Sequence, residues 1–342
     1  MRPYPRLALR AHLSEPAVTT IKPVRVLITG AARDLGAGVA RRLETAREVE
    51  SIVGLDILPA DHEGRKFQFV KADTRSASTS GLIADLGADV VVHCATRVSS
   101  TAVSAREAHE TNVSGTMHVL AGCGPLTRRL VVKSSVAVYG YSSAQPSLLT
   151  ERAAGRPLPQ SPAGRDLREV EQLARDHHLA NPATVLTNLR LGTVLSATWN
   201  SPLADYLSMA PVPTVAGSDP RIQLLHETDA VDAVCRAVLA DHPGTYNVAA
   251  DGIILLSRLI RLAGGRGAAS LPPLVGGWLQ RQALRALRGA DLPTHLLEML
   301  EQGQVVDCTA LLEEFGWRPP RTTRDVAEEW VAARMLSEVV AG

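Results

Sequence analysis

The chain is poor in lysine and cysteine and contains no long apolar run. Its last lysine is Lys133, so no later residue can supply a lysine ammonium. The four cysteines are far apart and have no metal-ligand spacing. This predicts no metal site and free thiols in a reducing compartment, with the cytoplasm as the default. No apolar run reaches the roughly 20 residues of a membrane helix, so we expect no membrane segment.

The charge composition also excludes a class of partner. The net charge is +1 over 342 residues, and no dense Lys/Arg tract is present. We therefore expect no nucleic-acid partner. The 45% apolar content suits a globular protein with a sizeable core. Residues 1–22 contain prolines and arginines but no long apolar stretch, which predicts a disordered leader rather than a secretory signal.

Short apolar segments alternate with helical patterns from residue 24 onward. Each candidate strand is rich in Val, Ile or Leu and apolar over much of its length, as in parallel strands covered on both faces. The candidate strands are 24–29, 51–55, 67–70, 89–94, 129–134 and 184–191. The candidate helices are 35–47, 77–86, 103–121 and 164–179. This alternation predicts the α/β class, as a Rossmann-type doubly wound parallel sheet with right-handed crossovers.

The pattern changes after residue 191, where prolines break the chain into short pieces. A helix at 228–240 and a strand at 245–249 are predicted to return to the main sheet. Further helices are predicted at 255–263, 273–287, 294–302 and 324–338. We therefore expect a nucleotide-binding domain at 23–191 and a smaller, mostly helical substrate lobe built from 192–227 and 250–342. The ligand cleft should lie beyond the carboxyl ends of the strands.

The first strand runs into a glycine turn that is typical of dinucleotide binding. Gly30 can adopt backbone angles closed to other residues, so the chain can turn sharply after Thr29. Gly36 would let the next helix pack close to the sheet. The N-terminus of that helix would point free N–H groups at a pyrophosphate.

An acidic residue about twenty positions beyond the glycine turn is the next marker of such a site. Asp56 has this spacing from Gly36. A carboxylate there accepts both adenosine ribose hydroxyls and repels a 2′-phosphate, which favours NAD. Arg33 leaves NADP open, because a guanidinium nearby would bind that phosphate. Asp56 also fits an ordinary turn residue.

Two segments together resemble a known family. Residues 24–36 read VRVLITGAARDLG, and residues 134–140 read SSVAVYG after another apolar run. They resemble the extended short-chain dehydrogenase/reductase family, which includes sugar-nucleotide epimerases and dehydratases. The chain also resembles a bacterial subgroup that is similar to UDP-glucose 4-epimerases but has a degenerate catalytic set. The match runs from about residue 24 to 260, and more loosely to about 330.

The resemblance implies a set of NAD contacts. Arg33 stands where the family pattern has a middle glycine. Asp73 matches the family Asp that meets the adenine amino group, and Ala95 and Thr96 would line the cofactor through backbone atoms. The implied cofactor residues are Gly30, Arg33, Asp34, Leu35, Gly36, Asp56, Asp73, Thr74, Ala95 and Thr96.

Three other polar residues are interpreted as structural or left open. Asn112 resembles the family Asn that ties a helix to a strand through backbone groups. His93 lies in an apolar strand and is expected to be a core histidine with satisfied hydrogen bonds. Asp229 fits either the family's late Asp or the N-cap of helix 228–240.

The catalytic positions depart from the family pattern. The resemblance aligns Ser135 with the Ser that binds the substrate oxygen and orients a Tyr. Counting back from Glu171, which matches a family Glu, puts the Lys position at Leu167 and the Tyr position at Ala163. An alanine has no proton to donate, and a leucine cannot bind the cofactor ribose. Positioned acid–base catalysis contributes about a hundred- to ten-thousand-fold, so ordinary chemistry of the family should be very slow here.

Replacement acids can be named but not ranked. Tyr139 and Tyr141 are near Ser135 in sequence, although the residue matching Tyr139 is usually structural in relatives. The charged residues on the helix of Ala163 are expected to face solvent for the most part; they are Arg165, Asp166 and Arg168.

Three functions remain open from the sequence. The first is an NAD(P)-binding epimerase/dehydratase-like oxidoreductase with altered proton donors, acting on a nucleotide sugar or a related hydroxylated small molecule. The second is a non-catalytic NAD(P)-binding sensor or scaffold of the same fold. The third is an enzyme that uses the cleft for non-redox chemistry. Relatives commonly dimerise through two long helices matching 103–121 and 164–179, so a homodimer is expected.

Overall fold

The computed structural model describes residues 23–60, 62–97, 104–142, 145–153, 159, 161–199, 201–214, 217–265 and 294–341. The predicted leader at 1–22 and the predicted helix at 273–287 lie outside the described residues. In the described part, no helix is long and apolar enough to cross a membrane.

The strands form one large sheet and two small ones. They are β1 (Val24–Thr29), β2 (Val49–Asp56), β3 (Phe67–Lys71), β4 (Val90–His93), β5 (Arg129–Ser135), β6 (Val185–Leu191), β7 (Thr193–Leu195), β8 (Arg221–Ile222), β9 (Leu224–His226), β10 (Gly244–Val248) and β11 (Ile254–Leu255). Seven of them make a parallel sheet in the order β10-β6-β5-β4-β1-β2-β3. The predicted Rossmann-type fold is therefore confirmed.

The helices cover both faces of this sheet and build the C-terminal region. They are α1 (Asp34–Leu43), α2 (Ser78–Leu86), α3 (Ala105–His109), α4 (Gly115–Gly122), α5 (Pro162–Ala180), α6 (Pro202–Leu207), α7 (Glu227–Leu239), α8 (Leu256–Leu262), α9 (Thr294–Gln302), α10 (Thr309–Glu313) and α11 (Thr323–Ala341). Helices α1 and α7 pack against one face of the sheet, and α2, α4 and α5 pack against the other.

The strand order places a topological switch point between β1 and β4. Strand β1 pairs with β2 on one side and with β4 on the other. The sheet therefore extends from β1 in one direction through β2 and β3, and in the opposite direction through β4 and the later strands. A crevice opens beyond the carboxyl ends of β1 and β4, where the direction changes. Gly30 follows β1 at this crevice, and Cys94 to Arg97 follow β4.

A second apolar core lies in the C-terminal region. It joins α6, α8, α9 and α11 through buried side chains that include Tyr206, Leu259, Leu300 and Trp330. Strand β10 pairs with β6, so the chain returns to the edge of the main sheet before entering this region.

Three predicted elements differ from the structure. Helix α1 ends at Leu43 rather than residue 47, because β2 begins earlier than predicted, at Val49, where it pairs with Val24. The predicted helix 103–121 is not one regular helix, since a π-helical stretch at Glu110–Ser114 separates α3 from α4. Such π-turns are frequent at functional sites.

The N-cap alternative for Asp229 is wrong. His226 caps α7, and its ring accepts a hydrogen bond from the N–H of Thr228. Asp229 is buried in the first turn of α7, and its Oδ1 accepts a hydrogen bond from the Arg321 Nη1 at 2.8 Å. A buried carboxylate needs a cationic partner, and Arg321, just before α11 and 92 residues away in sequence, supplies it.

Candidate functional site

The glycine turn packs directly against the end of β4. Gly30 has a φ of +73°, and its N–H donates to the carbonyl of Leu55 at 2.8 Å. A Cβ at Gly30 would lie 2.9 Å from the Cα and N of Ala95, which is backbone and cannot move aside. A Cβ at Gly36 would overlap the carbonyl oxygen of Gly30. Both glycines are therefore required by the close packing of turn, helix and strand.

Two charged residues follow this turn where α1 begins. Arg33 is exposed and extended, and it gives the helix no side-chain cap. Asp34 has a φ of +48°, a left-handed conformation that costs a residue with a side chain about 1–2 kcal/mol. Leu35 is buried and faces the core. Because the first turn of α1 has no side-chain cap, its free N–H groups can donate hydrogen bonds to an anionic ligand.

Asp56 holds the glycine turn against β2. Its Oδ2 accepts a hydrogen bond from the N–H of Ala32, and its Oδ1 accepts one from the N–H of Leu58, both at 3.1 Å. The carboxylate remains partly exposed at the carboxyl end of β2. Each carboxylate oxygen has a second lone pair, so these bonds orient Asp56 and leave it able to accept ribose hydroxyls.

Asp73 and Thr74 follow β3 on the outer side of the crevice. Arg75 binds Asp73, with Nη2 to Oδ2 at 2.7 Å, and this hydrogen bond lowers the pKa of the carboxyl. Thr74 is buried, and its carbonyl lies 2.9 Å from the Nδ1 of His118 on α4. Arg75 thus keeps Asp73 ionised and fixed, which a sequence motif cannot show.

The floor of the crevice is formed where β4 and β5 end. The Thr96 hydroxyl donates to the carbonyl of Lys133 at 2.9 Å, and the Lys133 Nζ donates to the carbonyl of Thr96 at 2.7 Å. This reciprocal pair closes the end of β4 onto β5 and brings an amine beside Ala95. Sequence reasoning missed Lys133, although a lysine within an apolar strand directly before Ser134 was a usable signal.

Ser135 ends β5 and caps the next turn. Its hydroxyl accepts a hydrogen bond from the N–H of Ala137 at 3.2 Å. The neighbouring Ser134 faces the other side of the strand and donates to Glu171 on α5 at 2.7 Å. The two serines therefore divide the roles, because alternate residues of a strand point to opposite faces.

A buried ion pair fixes α5 to the sheet. The Arg190 Nη2 lies 2.6 Å from the Glu171 Oε2, and both side chains are 3% exposed. Arg190 also donates to the hydroxyl of Tyr139 at 2.9 Å, and that hydroxyl donates to Asn247 at 2.6 Å. Glu171 lies on the same helix as Ala163 and Leu167, the predicted Tyr and Lys positions. The ion pair therefore also fixes where these two residues lie.

The predicted Tyr and Lys positions both carry hydrocarbon side chains. Ala163 is partly exposed near the start of α5. Leu167 is fully buried and packs in an apolar cluster with Val136, Val138 and Tyr139. Neither residue offers a proton or a charge, so the geometry at this face of α5 supports no acid–base chemistry from these positions.

The buried positions of the neighbouring tyrosines favour a structural role over that of a replacement acid. Burial raises the pKa of Tyr139 to about 12, and its hydroxyl is engaged by Arg190 and Asn247. Burial also raises the pKa of Tyr141, which belongs to the C-terminal core. Within the described ranges, no tyrosine hydroxyl is hydrogen-bonded to Ser135. This network agrees with a structural role for Tyr139, which stays a prediction.

The structure also shows a polar cluster beside Leu167 that the sequence did not predict, formed by His109, Asn112 and Asp166. The His109 Nδ1 lies 2.9 Å from the Asp166 Oδ1, and this hydrogen bond raises the pKa of His109. The Asn112 amide donates to Asp166 at 3.3 Å and binds the backbone of Arg97 through both of its polar atoms. The π-helical stretch holds Asn112 at this position, so its predicted role of tying helix to strand end is confirmed. Asp166 is buried, against expectation.

His93 is a core residue, as predicted. Its ring nitrogens lie 2.7 Å from the hydroxyl of Thr29 and 2.8 Å from that of Thr116. Burial lowers the pKa of His93 to about 4, so the ring is neutral and both of its nitrogens are satisfied.

A cavity of about 350 Å³ lies apart from this crevice, beyond the end of β10. Its polar lining includes Gln223, Asp251, Asp307 and Arg318, and it contains none of the predicted site residues. In the described part of the chain, no group of three or more His, Cys, Asp or Glu residues is arranged to hold a metal ion.

Comparison with known proteins identifies a family with the same type of fold. The model of the NAD dependent epimerase/dehydratase family matches residues 26–249. The chain belongs to this family. It is 33% identical to an uncharacterized protein of Mycobacterium tuberculosis over 325 residues, which cover 93% of this chain and 86% of that protein.

Solved structures of the family share the fold. A UDP-glucose 4-epimerase from Thermotoga maritima, solved with UDP-glucose, has a TM-score of 0.71 at 18% identity, covering 92% of this chain and 99% of that one. A dTDP-glucose 4,6-dehydratase from Bacillus anthracis, solved with NAD, has a TM-score of 0.68 at 17% identity, covering 92% and 97%.

Proposed function

We propose that the protein binds NAD in the crevice between the glycine turn and the end of β4. The observation that carries the proposal is the close approach of Gly30 to Ala95 at the switch point, where a single added Cβ would collide with backbone. Such a cradle lets a dinucleotide approach main-chain atoms closely. The solved dehydratase of the same fold was crystallised with NAD.

Each predicted residue has a place in this binding mode. The turn residues Gly30, Arg33, Asp34, Leu35 and Gly36 would surround the pyrophosphate at the N-terminus of α1. Beyond the turn, the adenosine half would meet Asp56, Asp73 and Thr74, and the nicotinamide half would pass Ala95 and Thr96. NAD is favoured over NADP because the Asp56 carboxylate repels a 2′-phosphate.

The proposed substrate is a nucleotide sugar or a related hydroxylated small molecule. Support comes from the fold shared with an epimerase solved with UDP-glucose. It also comes from Ser135 at the end of β5, whose hydroxyl accepts from the N–H of Ala137 and keeps its own proton to donate to a substrate oxygen. Bound NAD would supply hydride exchange with a substrate carbon. The chain's own contribution would be binding and orientation, because Ala163 and Leu167 provide no acid. We therefore propose an atypical epimerase/dehydratase-like oxidoreductase.

A second candidate is a non-catalytic NAD-binding sensor or scaffold. The observation that favours it is the complete burial of Leu167 among Val136, Val138 and Tyr139, which seals the usual lysine position with hydrocarbon. On this alternative the crevice retains affinity for NAD, and no substrate is turned over.

Calorimetric titration with NAD and NADP tests the binding proposal. NAD should bind one site per chain, and NADP should bind more weakly. Failure of both to bind would refute it. A following assay with UDP-glucose and dTDP-glucose separates the two candidates, since slow turnover supports the enzyme and none supports the sensor.

We further propose a homodimer in the reducing cytoplasm. Met117 on α4 and Leu179 on α5 are 53% and 75% exposed, and the family resemblance implies that these two helices form the dimer contact. The four cysteines are free thiols. Light scattering that gives the mass of a single chain would refute the dimer.

A further inference from the structure

Lys133 places an amine inside the proposed NAD crevice. Its Nζ donates to the carbonyl of Thr96 at 2.7 Å, directly beyond β4. Thr96 follows Ala95, the residue that Gly30 touches across the switch point. The ammonium therefore lies where the glycine turn, the end of β4 and the end of β5 come together.

The strand geometry points this lysine towards the reacting side of the crevice. Lys133 and Ser135 are two residues apart on β5, so their side chains leave the same face of the sheet, about 7 Å apart along the strand. Ser134 between them faces α5 instead, where it binds Glu171. The amine thus lies on the path from the pyrophosphate turn to the proposed substrate serine.

The charges around Lys133 also suit an anionic ligand. The charged groups that act on it are Asp34 at the glycine turn and the Arg97 guanidinium. Asp34 alone would repel a pyrophosphate at the start of α1. The Lys133 ammonium, which interacts with Asp34, offsets this repulsion. The need for a cation here would explain why a lysine stands in a strand whose other residues are mostly buried.

We propose that Lys133 is the cation that holds the nicotinamide-side phosphate and ribose of NAD, replacing the lysine that is absent at position 167. This inference rests on the proposed function. Lys133 would act as a positioning residue: it holds the cofactor beside Ser135 and transfers no proton. A hydrogen bond from an ammonium to a phosphate or hydroxyl oxygen is of the stronger, charge-assisted kind.

Burial supports the same assignment. It lowers the pKa of Lys133, because removal from water disfavours the charged form of the amine. Phosphate oxygens next to the amine would raise this pKa again, since an opposite charge favours the ammonium. NAD binding should therefore be coupled to the protonation of one lysine.

Replacing Lys133 with methionine tests the proposal against a matched control. Lys133→Met removes the charge and keeps most of the side-chain volume. The control is Lys66→Met, because the Lys66 Nζ also donates to backbone carbonyls, those of Ala46 and Val49, outside the crevice. Both variants and the parent protein are titrated with NAD and with adenosine, which lacks phosphates and the second ribose.

The expected result is a ligand-specific loss. Lys133→Met should weaken NAD binding about 10- to 100-fold, the range for one lost hydrogen bond to a charged group. Adenosine binding should stay within about twofold, and Lys66→Met should leave both ligands unaffected. Equal weakening of NAD and adenosine would mean a structural role for Lys133 and would overturn the proposal.

Lysine NMR gives a second readout that is independent of affinity. With four lysines in the chain, ¹³Cε labelling yields few signals, and Lys133→Met identifies its own. NAD should shift the Lys133 signal and raise its pKa, while Lys66 stays unchanged. NAD binding with an unmoved Lys133 signal refutes this inference and leaves the proposed function standing. If NAD does not bind the parent protein, both fail.

Discussion

The two sides of the crevice differ in the side chains that they carry at the predicted functional positions. On the side of β1 and α1, the glycine turn, its tie to Asp56 and its contact with Ala95 are all present. On the side of β5 and α5, the supporting ion pair of Glu171 and Arg190 is present, but Ala163 and Leu167 stand at the positions predicted for the reacting Tyr and Lys. The comparison indicates that the frame for binding and the groups for proton transfer are separable parts of one fold.

Restoring the missing pair should give the largest change. The double variant Ala163→Tyr with Leu167→Lys would return an acid and the ammonium that tunes it. If the frame is otherwise intact, interconversion of UDP-glucose and UDP-galactose should rise about a hundred- to ten-thousand-fold. Coupled detection of UDP-galactose measures this rate.

The matched control adds Ser135→Ala to the double variant, which should remove most of the gain. Stability must be followed as well, because Leu167 is fully buried and an ammonium there needs a partner. A folded double variant with no gain in rate would show that more than these two groups has been lost.

Breaking the supporting ion pair should cause the next largest effect. Arg190→Met leaves the Glu171 carboxylate buried without its partner, which costs about 3–5 kcal/mol of unfolding free energy. Urea denaturation measures the loss. The double variant Arg190→Met with Glu171→Met should recover much of it, and a single variant as stable as the parent would contradict the role given to this pair.

A side chain at the glycine turn should damage the other side of the crevice. Gly30→Ala forces a Cβ against Ala95 at a φ of +73°, so stability should fall by about 1–3 kcal/mol and NAD binding should be largely lost. Thermal denaturation and calorimetry measure the two effects. The control is Gly81→Ala on α2, where a Cβ meets no atom within 4 Å, and it should be neutral or slightly stabilising. Unchanged NAD affinity in Gly30→Ala would place the cofactor elsewhere.

The smallest effect should come from the polar cluster beside Leu167. Asp166 raises the pKa of His109 above its ordinary 6.5 in the folded state. The stability from this pair is therefore fully present below pH 6.5 and is lost as the pH rises through the raised folded value. His109 is half exposed, so we expect less than about 1 kcal/mol. The stability difference between parent and His109→Gln should be larger near pH 5.5 than near pH 9, and the reverse order would contradict the assignment.

The sequence predicts the β1 side of the crevice well because its determinants are local. An apolar strand, two glycines and an acidic residue at a fixed spacing define the turn, and the structure places Gly30, Gly36 and Asp56 around one point. The spacing from Glu171 likewise locates Leu167. Long-range contacts could not be predicted: Lys133 reaches Thr96 only because β5 pairs with β4, and the partners of Asp166 are His109 and Asn112, 57 and 54 residues earlier in the chain.

Hydrogen–deuterium exchange with and without NAD tests the central claim most directly. If the crevice binds the dinucleotide while the face of Ala163 and Leu167 stays unused, amide protection should rise in peptides covering 30–36 and 94–97. Peptides covering 163–170 should stay unchanged. Protection confined to the start of α5, or to the cavity beyond β10, would contradict the account.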